Sequence, residues 1–191
     1  MRIVEKAELN RKIKMDMALY NDKNMQMRVY HRITGNLKLE IRDAIITSRK
    51  YSFYKENRNG IINNIKCIFW GIKQSNYIKK RMIDIEGRIG ENLMIYHPNI
   101  IISPKAIVGN NVKLHGSNCI GNNGLVDKAP KIGNNVDIGY GATIIGNIEI
   151  ADDIIIGANA LVNKSFLEKG VVIAGVPAKI VKYNNKGDKN E

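Results

Sequence analysis

The stretch IGNNVDIGYGATIIGNIEIADDIIIGANALVNKSF, residues 132–166, repeats itself every six positions. Its aliphatic anchors are Ile132, Ile138, Ile144, Ile150, Ile156 and Val162. Upstream the same period passes through Ile102, Val108, Leu114, Ile120 and Val126. Earlier still it runs through Ile83, Ile89 and Ile95, with a slip of one residue before Ile102. Glycine follows the anchor at Gly90, Gly109, Gly121, Gly133, Gly139 and Gly157. A small or aliphatic residue falls four places after it, as at Val112, Val136, Ala142, Ile148, Ile154 and Ala160. An amphipathic helix repeats at about 3.6 residues and a half-buried strand at about 2, so neither produces this pattern. A period of six suits a short strand followed by a turn back to the same inward position. Three such units close a triangular coil of about 18 residues, hydrogen-bonded to the next coil at roughly 4.8 Å. Residues 83–182 are therefore expected to be all-β, a parallel β-helix of hexapeptide repeats. The whole series from Ile102 to Val162 would face one interior, with Gly and Asn at the corners.

Residues 1–82 lack this period. Leu37, Ile41, Ala44 and Ile45 have helical spacing, and Ile61 to Met82 continues with mixed apolar and basic residues. Gly35–Asn36 and Asn57–Gly60 read as breaks, so an N-terminal, mainly helical region is expected, while residues 183–191 read as a polar tail. Aromatic residues make up 6% of the chain, which leaves Ile, Val and Leu to fill the core. The two cysteines, Cys67 and Cys119, have no CxxC or Cys/His spacing. That argues against a disulfide framework or a structural zinc site and suits a reducing cytosol. The opening MRIVEKAELNRKIKMD has no apolar run, so no secretory signal is expected. The apolar stretches fall short of the ~20 residues of a membrane span. The expected location is cytoplasmic.

The formal net charge of +12 is unevenly placed. Residues 1–82 hold 19 Lys and Arg against 7 Asp and Glu, whereas residues 83–191 hold 11 against 11. A basic segment of this kind would meet an anionic membrane surface or an acidic polysaccharide, which would bring the protein to the inner face of the membrane. The plainer alternative is a solvated helical face in a Lys-rich chain. Charge alone, with no recognition motif beside it, gives no reason to expect nucleic acid as a partner.

The segments at residues 132–166 and IAGVPAKIVK at 173–182 resemble the hexapeptide-repeat acyltransferases, and within them the serine acetyltransferase-like branch. The likeness covers residues 83–182, and AGVPAKIV, residues 174–181, ties it to the acetyltransferases. It implies a left-handed β-helix, a homotrimer, and acetyl-CoA lying in grooves between subunits. LMIYHPN, residues 93–99, matches the place where that family keeps its catalytic histidine, here His97. Three departures accompany the match. Tyr96 stands where serine acetyltransferases have an Asp, and Ala129, in DKAPKIG, stands where they have a second active-site His. A further family Asp aligns with Met82, although Asp84 lies nearby. LHGSNCIGNNG together with DKAP looks more like the saccharide O-acetyltransferases of capsule and exopolysaccharide clusters. A saccharide hydroxyl is accordingly the first acceptor expected, with serine the alternative and a non-catalytic β-helix scaffold the second alternative.

Direct acetyl transfer from a thioester needs a general base for the attacking hydroxyl and a donor for the developing oxyanion. Imidazole, ordinarily titrating at about 6.5, suits the base role near neutral pH. The chain has three histidines, His31, His97 and His115. His31 lies in the basic region and reads as a surface residue. His97 and His115 are 18 residues apart, one coil length, and should lie on the same face of adjacent coils. His97 is expected to be the base, with His115 as a substrate-binding partner or alternative base. For a carboxylate orienter or acceptor-binding group the candidates are Asp84, which also reads as a solvated corner, and Asp127. Asp127 would serve only if residues 122–131 bulge from the coil, whereas the unbroken period through Val126 also allows a regular face. The resemblance directs the cofactor to Gly121, Gly139, Gly141 and Ala158, where small residues let pantetheine approach the backbone. It directs the coenzyme phosphates to Lys164 and Lys179 as point charges. No metal is expected, because a three-histidine site between subunits would need more than the two histidines in the repeat region.

Overall fold

The hexapeptide anchors fold into three stacks of short parallel strands in a computed structural model that describes residues 3–20 and 36–183. The chain divides into two units between Ile85 and Glu86. In the second unit the strands are β2 (Arg88–Ile89), β3 (Met94–Ile95), β4 (Ile100–Ile102), β5 (Ile107–Val108), β6 (Lys113–Leu114), β7 (Asn118–Gly121) and β8 (Lys131–Ile132). They continue as β9 (Asp137–Ile138), β10 (Thr143–Ile145), β11 (Glu149–Ile150), β12 (Ile155–Ile156), β13 (Leu161–Val162), β14 (Val171–Gly175) and β15 (Ala178–Tyr183). One face stacks β4, β7, β10 and β13, and a second stacks β2, β5, β8 and β11. The third stacks β3, β6, β9, β12 and β14, and β15 closes it antiparallel to β14. The result is a left-handed parallel β-helix of about five turns.

The anchors stack in register. Ile102 lies on Ile120, Ile144 and Val162, while Ile95 lies on Leu114, Ile138, Ile156 and Ile173. Val108, Ile132 and Ile150 continue the remaining column from a half-buried Ile89, and beyond Ile89 no residue in the three columns is more than 3% exposed. At about 1.5–3 kcal/mol for each buried aliphatic side chain, these columns are the principal stabilising term of the unit. One corner carries a polar ladder instead. Asn92, Asn111, Asn135 and Asp153 adopt left-handed backbone, and each asparagine donates its amide to the residue one coil on, at 2.8, 2.9 and 3.1 Å.

Val126 does not join the interior, contrary to the expectation from the repeat. Ile120 pairs with Ile144 and Val108 with Ile132, a step of 24 residues in place of 18. The six extra residues leave the coil as a loop, Asn122 to Pro130, in which Leu125 is 86% and Val126 46% exposed. Because the insertion has the length of one repeat, the period of six continues through it unbroken in the sequence. The loop is shaped locally: the Asn123 side-chain oxygen accepts from the backbone N–H of Leu125 at 3.1 Å and Val126 at 3.4 Å.

The first unit contains α1 (Ile3–Leu19), α2 (Leu37–Glu56), α3 (Ile61–Arg81) and β1 (Ile83–Ile85). Asn36 caps α2, accepting from the N–H of Lys38 at 2.8 Å, and Met82 ends α3 in left-handed conformation. Its core is small, with Leu39, Ile41, Ala44, Ile45, Cys67 and Tyr20 buried around a paired Asp16 and Arg49. The Ser48 hydroxyl and the Gln74 amide both donate to the carbonyl of Ile85, which ties β1 to α2 and α3. His31 and residues 184–191 lie outside the described residues.

Candidate active site

The corner that joins the third face of the β-helix to the first carries both histidines of the repeat region. Higher on this corner three residues separate the inward positions: His115, Gly116 and Ser117 follow Leu114, and Gly139, Tyr140 and Gly141 follow Ile138. In the first coil four residues do so, Tyr96, His97, Pro98 and Asn99, because Ile95 pairs with Leu114 and Ile100 with Asn118. This is the one-residue slip of the sequence. Its consequence is a shift of partners, in which Tyr96 takes the place over His115, with ring centroids 4.8 Å apart. His97 sits instead over Gly116, exposed, and edge-on to Tyr140 at 6.5 Å. Gly116 has φ +121°, and a Cβ there would fall 2.6 Å from the His97 Cβ and 3.0 Å from the Tyr140 ring. Only glycine allows the His97 side chain its place.

His115 is held by a carboxylate. Its Nε2 is 2.8 Å from Asp137 Oδ1, and Asp137 also lies 3.5 Å from the Lys113 ammonium. An ionised carboxylate only accepts, so Nε2–H donates and the lone pair of a neutral ring is on Nδ1. Asn118, 2% exposed, fixes the corner beneath: its Oδ1 accepts from Gly116 N at 2.9 Å and its Nδ2 donates to Gly139 O at 2.7 Å. The Ser117 hydroxyl donates to Tyr140 Oη at 2.9 Å. Burial pushes the thiol of nearby Cys119 above its usual value, so it stays protonated and makes a poor nucleophile.

The expected residues divide. His97 and His115 do share a corner in adjacent coils. Asp127 lies in the Asn122–Pro130 loop, 83% exposed and ion-paired with Lys105. Asp84 lies on β1 in the helical unit, and His115 is hydrogen-bonded to the carboxylate of Asp137. Asp137 went unread in the sequence because it stands 24 residues after its partner Lys113 in the ladder, and only removal of the six-residue loop brings it into line.

For the coenzyme, Gly139 and Gly141 lie on the histidine corner in one coil and Ala158 lies there in the next. Gly139 is required by the coil itself, since a Cβ there would meet Ala158 N at 2.6 Å. Gly141, with φ +73°, abuts Asn159. Gly121 is different: a Cβ would meet only Cys119 Sγ at 3.8 Å, which leaves room for a ligand to approach the backbone. Ala158 is exposed. Lys164 lies 5.4 Å over the Phe166 ring, and Lys179 is exposed on β15.

No family model matches the chain. The chain is similar to serine acetyltransferase of Buchnera aphidicola from Schizaphis graminum, 35% identical over 135 residues, which are 63% of this chain and 51% of that protein. It is 36% identical over 96 residues to serine acetyltransferase of Mycobacterium tuberculosis, covering 49% of this chain and 42% of that one. The chain thus spans about half or less of the curated relatives it matches. Among solved structures it is similar to serine acetyltransferase in complex with coenzyme A from Brucella abortus strain S19. There the TM-score is 0.71 at 25% identity, over 95% of this chain and 71% of that one. These relatives carry the serine acetyltransferase-like expectation and lend no support to the capsular likeness.

Proposed function

We propose that this chain is an acetyl-CoA-dependent O-acetyltransferase that moves the acetyl group directly to an acceptor hydroxyl, with His97 as general base. The observation that carries the reading is the corner itself, where an exposed imidazole sits over Gly116 at the foot of the edge of small residues. Among the described hydrogen bonds none engages the His97 ring, so either nitrogen is available for the acceptor proton. As that proton passes to His97, the hydroxyl oxygen bonds to the thioester carbon. The carbon–sulfur bond then breaks, and the protonated imidazole returns the proton to the leaving coenzyme thiolate. His115, anchored by Asp137, would hold the acceptor. The coenzyme would lie along Gly121, Gly141 and Ala158, with Lys164 and Lys179 toward its phosphates, in grooves between copies of a homotrimer.

Serine is the first acceptor, because it is the one that the similar proteins are named for. A saccharide hydroxyl is the second, favoured by Tyr96 and Ala129 at the positions where serine acetyltransferases are expected to carry Asp and His. Coenzyme A release from acetyl-CoA, followed with a thiol reagent, separates them. Acceleration by free serine supports the first reading, and acceleration only by sugars or nucleotide sugars supports the second. No acceptor-dependent release and no binding of acetyl-CoA would leave a β-helix without this activity.

A further inference from the structure

We infer that α3 docks the protein on an anionic membrane surface, an inference that stands apart from acetyl transfer. Ile61, Ile62, Ile65, Ile68, Phe69 and Ile72 follow one another at helical spacing and are 53–79% exposed. At 1.5 Å per residue this stripe is about 16 Å long, on a helix whose opposite side holds the buried Cys67 and Gln74. Lys66 and Lys73, two turns apart, border one edge of the stripe, and Lys79 continues it toward the C-terminus. All three are exposed. The helix IINNIKCIFWGIKQSNYIKKR contains no acidic residue.

An apolar face edged by lysines matches a surface that is apolar inside and negative outside, as an anionic bilayer is. Charge decides against a two-fold pairing of this face with a second copy of the chain. In a symmetric pair the stripe would meet itself, bringing Lys66 and Lys73 beside their counterparts with no carboxylate on the helix to offset them. The surrounding sequence has the same sign, 19 basic residues against 7 acidic in residues 1–82. No described helix is long and apolar enough to cross a membrane, so the face would lie in the interface.

The test is sedimentation of the full chain with vesicles of phosphatidylcholine alone, or of an equal mixture with phosphatidylglycerol, at low and high salt. Binding to the mixed vesicles is expected, weaker on the neutral ones and falling as salt rises. Ile68→Ser with Ile72→Ser should weaken it at least about tenfold. Lys66→Gln with Lys73→Gln should weaken it roughly 10- to 30-fold on anionic vesicles and little on neutral ones. These side chains are exposed, so both variants should keep the wild-type melting temperature. No binding to mixed vesicles at low salt would overturn the inference, as would unchanged binding by the serine variant. A molar mass by light scattering that falls in the serine variant would also overturn it, by assigning the face to contacts between copies.

Discussion

In the β-helix each inward column is a line of like contacts, Ile102 on Ile120 on Ile144 on Val162. In the helical unit, aliphatic side chains of α3 face solvent while Asp16 and Arg49 are buried, 0% and 9% exposed. The β-helix places every inward residue by the same local rule, so its core grows by repetition. Among the described residues the helical unit has no such repeat to enclose its core, and it buries a charged pair while leaving apolar surface exposed. A repeat can spend its corners on chemistry without disturbing its columns, and the His97 corner does so with one extra residue.

The largest test of this contrast is Ile144→Asp. Ile144 is fully buried, and a lone carboxylate in its column costs several kcal/mol even after relaxation. Circular dichroism should show loss of the cooperative β-sheet transition, and a melt like that of the wild type would contradict the stacked core. In the helical unit the comparable lesion is polar. Asp16→Ala leaves Arg49 buried without that carboxylate and should cost about 3–5 kcal/mol in chemical denaturation. A loss below about 1 kcal/mol would make the pair dispensable.

Gly116→Ala tests whether the corner serves activity more than stability. Its Cβ would collide with that of His97 at positive φ, and a displacement near 1 Å can cost about 100-fold in turnover. Kinetics beside a thermal melt would separate the two effects. The smallest effect is expected at Glu40, whose carboxyl is held below the usual 4.5 by hydrogen bonds from Arg81 and then Lys80. A lowered carboxylate stabilises the fold above its ordinary pKa and loses that contribution as pH falls through the lowered value. Glu40→Gln should therefore cost about 0.5–1 kcal/mol at neutral pH and progressively less below pH 4.5. Denaturation curves at the two pH values check the sign.

The period of six made the β-helix legible from Ile89 to Val162, because in this fold sequence spacing is spatial register. The same regularity concealed the loop at Val126, since an insertion one repeat long leaves no phase error. The one-residue slip after Ile95, by contrast, was visible and marks the corner that presents His97. The two histidines could be placed together from their coil spacing. Asp137, Asn118 and Tyr140 could not, because their roles depend on pairings across the hidden loop or within the corner. In the helical unit, helix positions followed from spacing and breaks. The Asp16–Arg49 pair links positions 33 residues apart with no periodic signal to join them.

Acetyl transfer at this corner rests most directly on the His97 imidazole. Coenzyme A release should be measured for the wild type, His97→Ala and His115→Ala with the acceptor that the wild type uses, alongside acetyl-CoA affinity for each. The account predicts a fall in turnover of about 10²–10⁴-fold for His97→Ala with little change in acetyl-CoA affinity. For His115→Ala it predicts a smaller loss of turnover and a larger rise in acceptor KM. Near-normal turnover in His97→Ala with a large loss in His115→Ala would move the base to the Asp137-anchored ring, and full activity in both would contradict a histidine base at this corner.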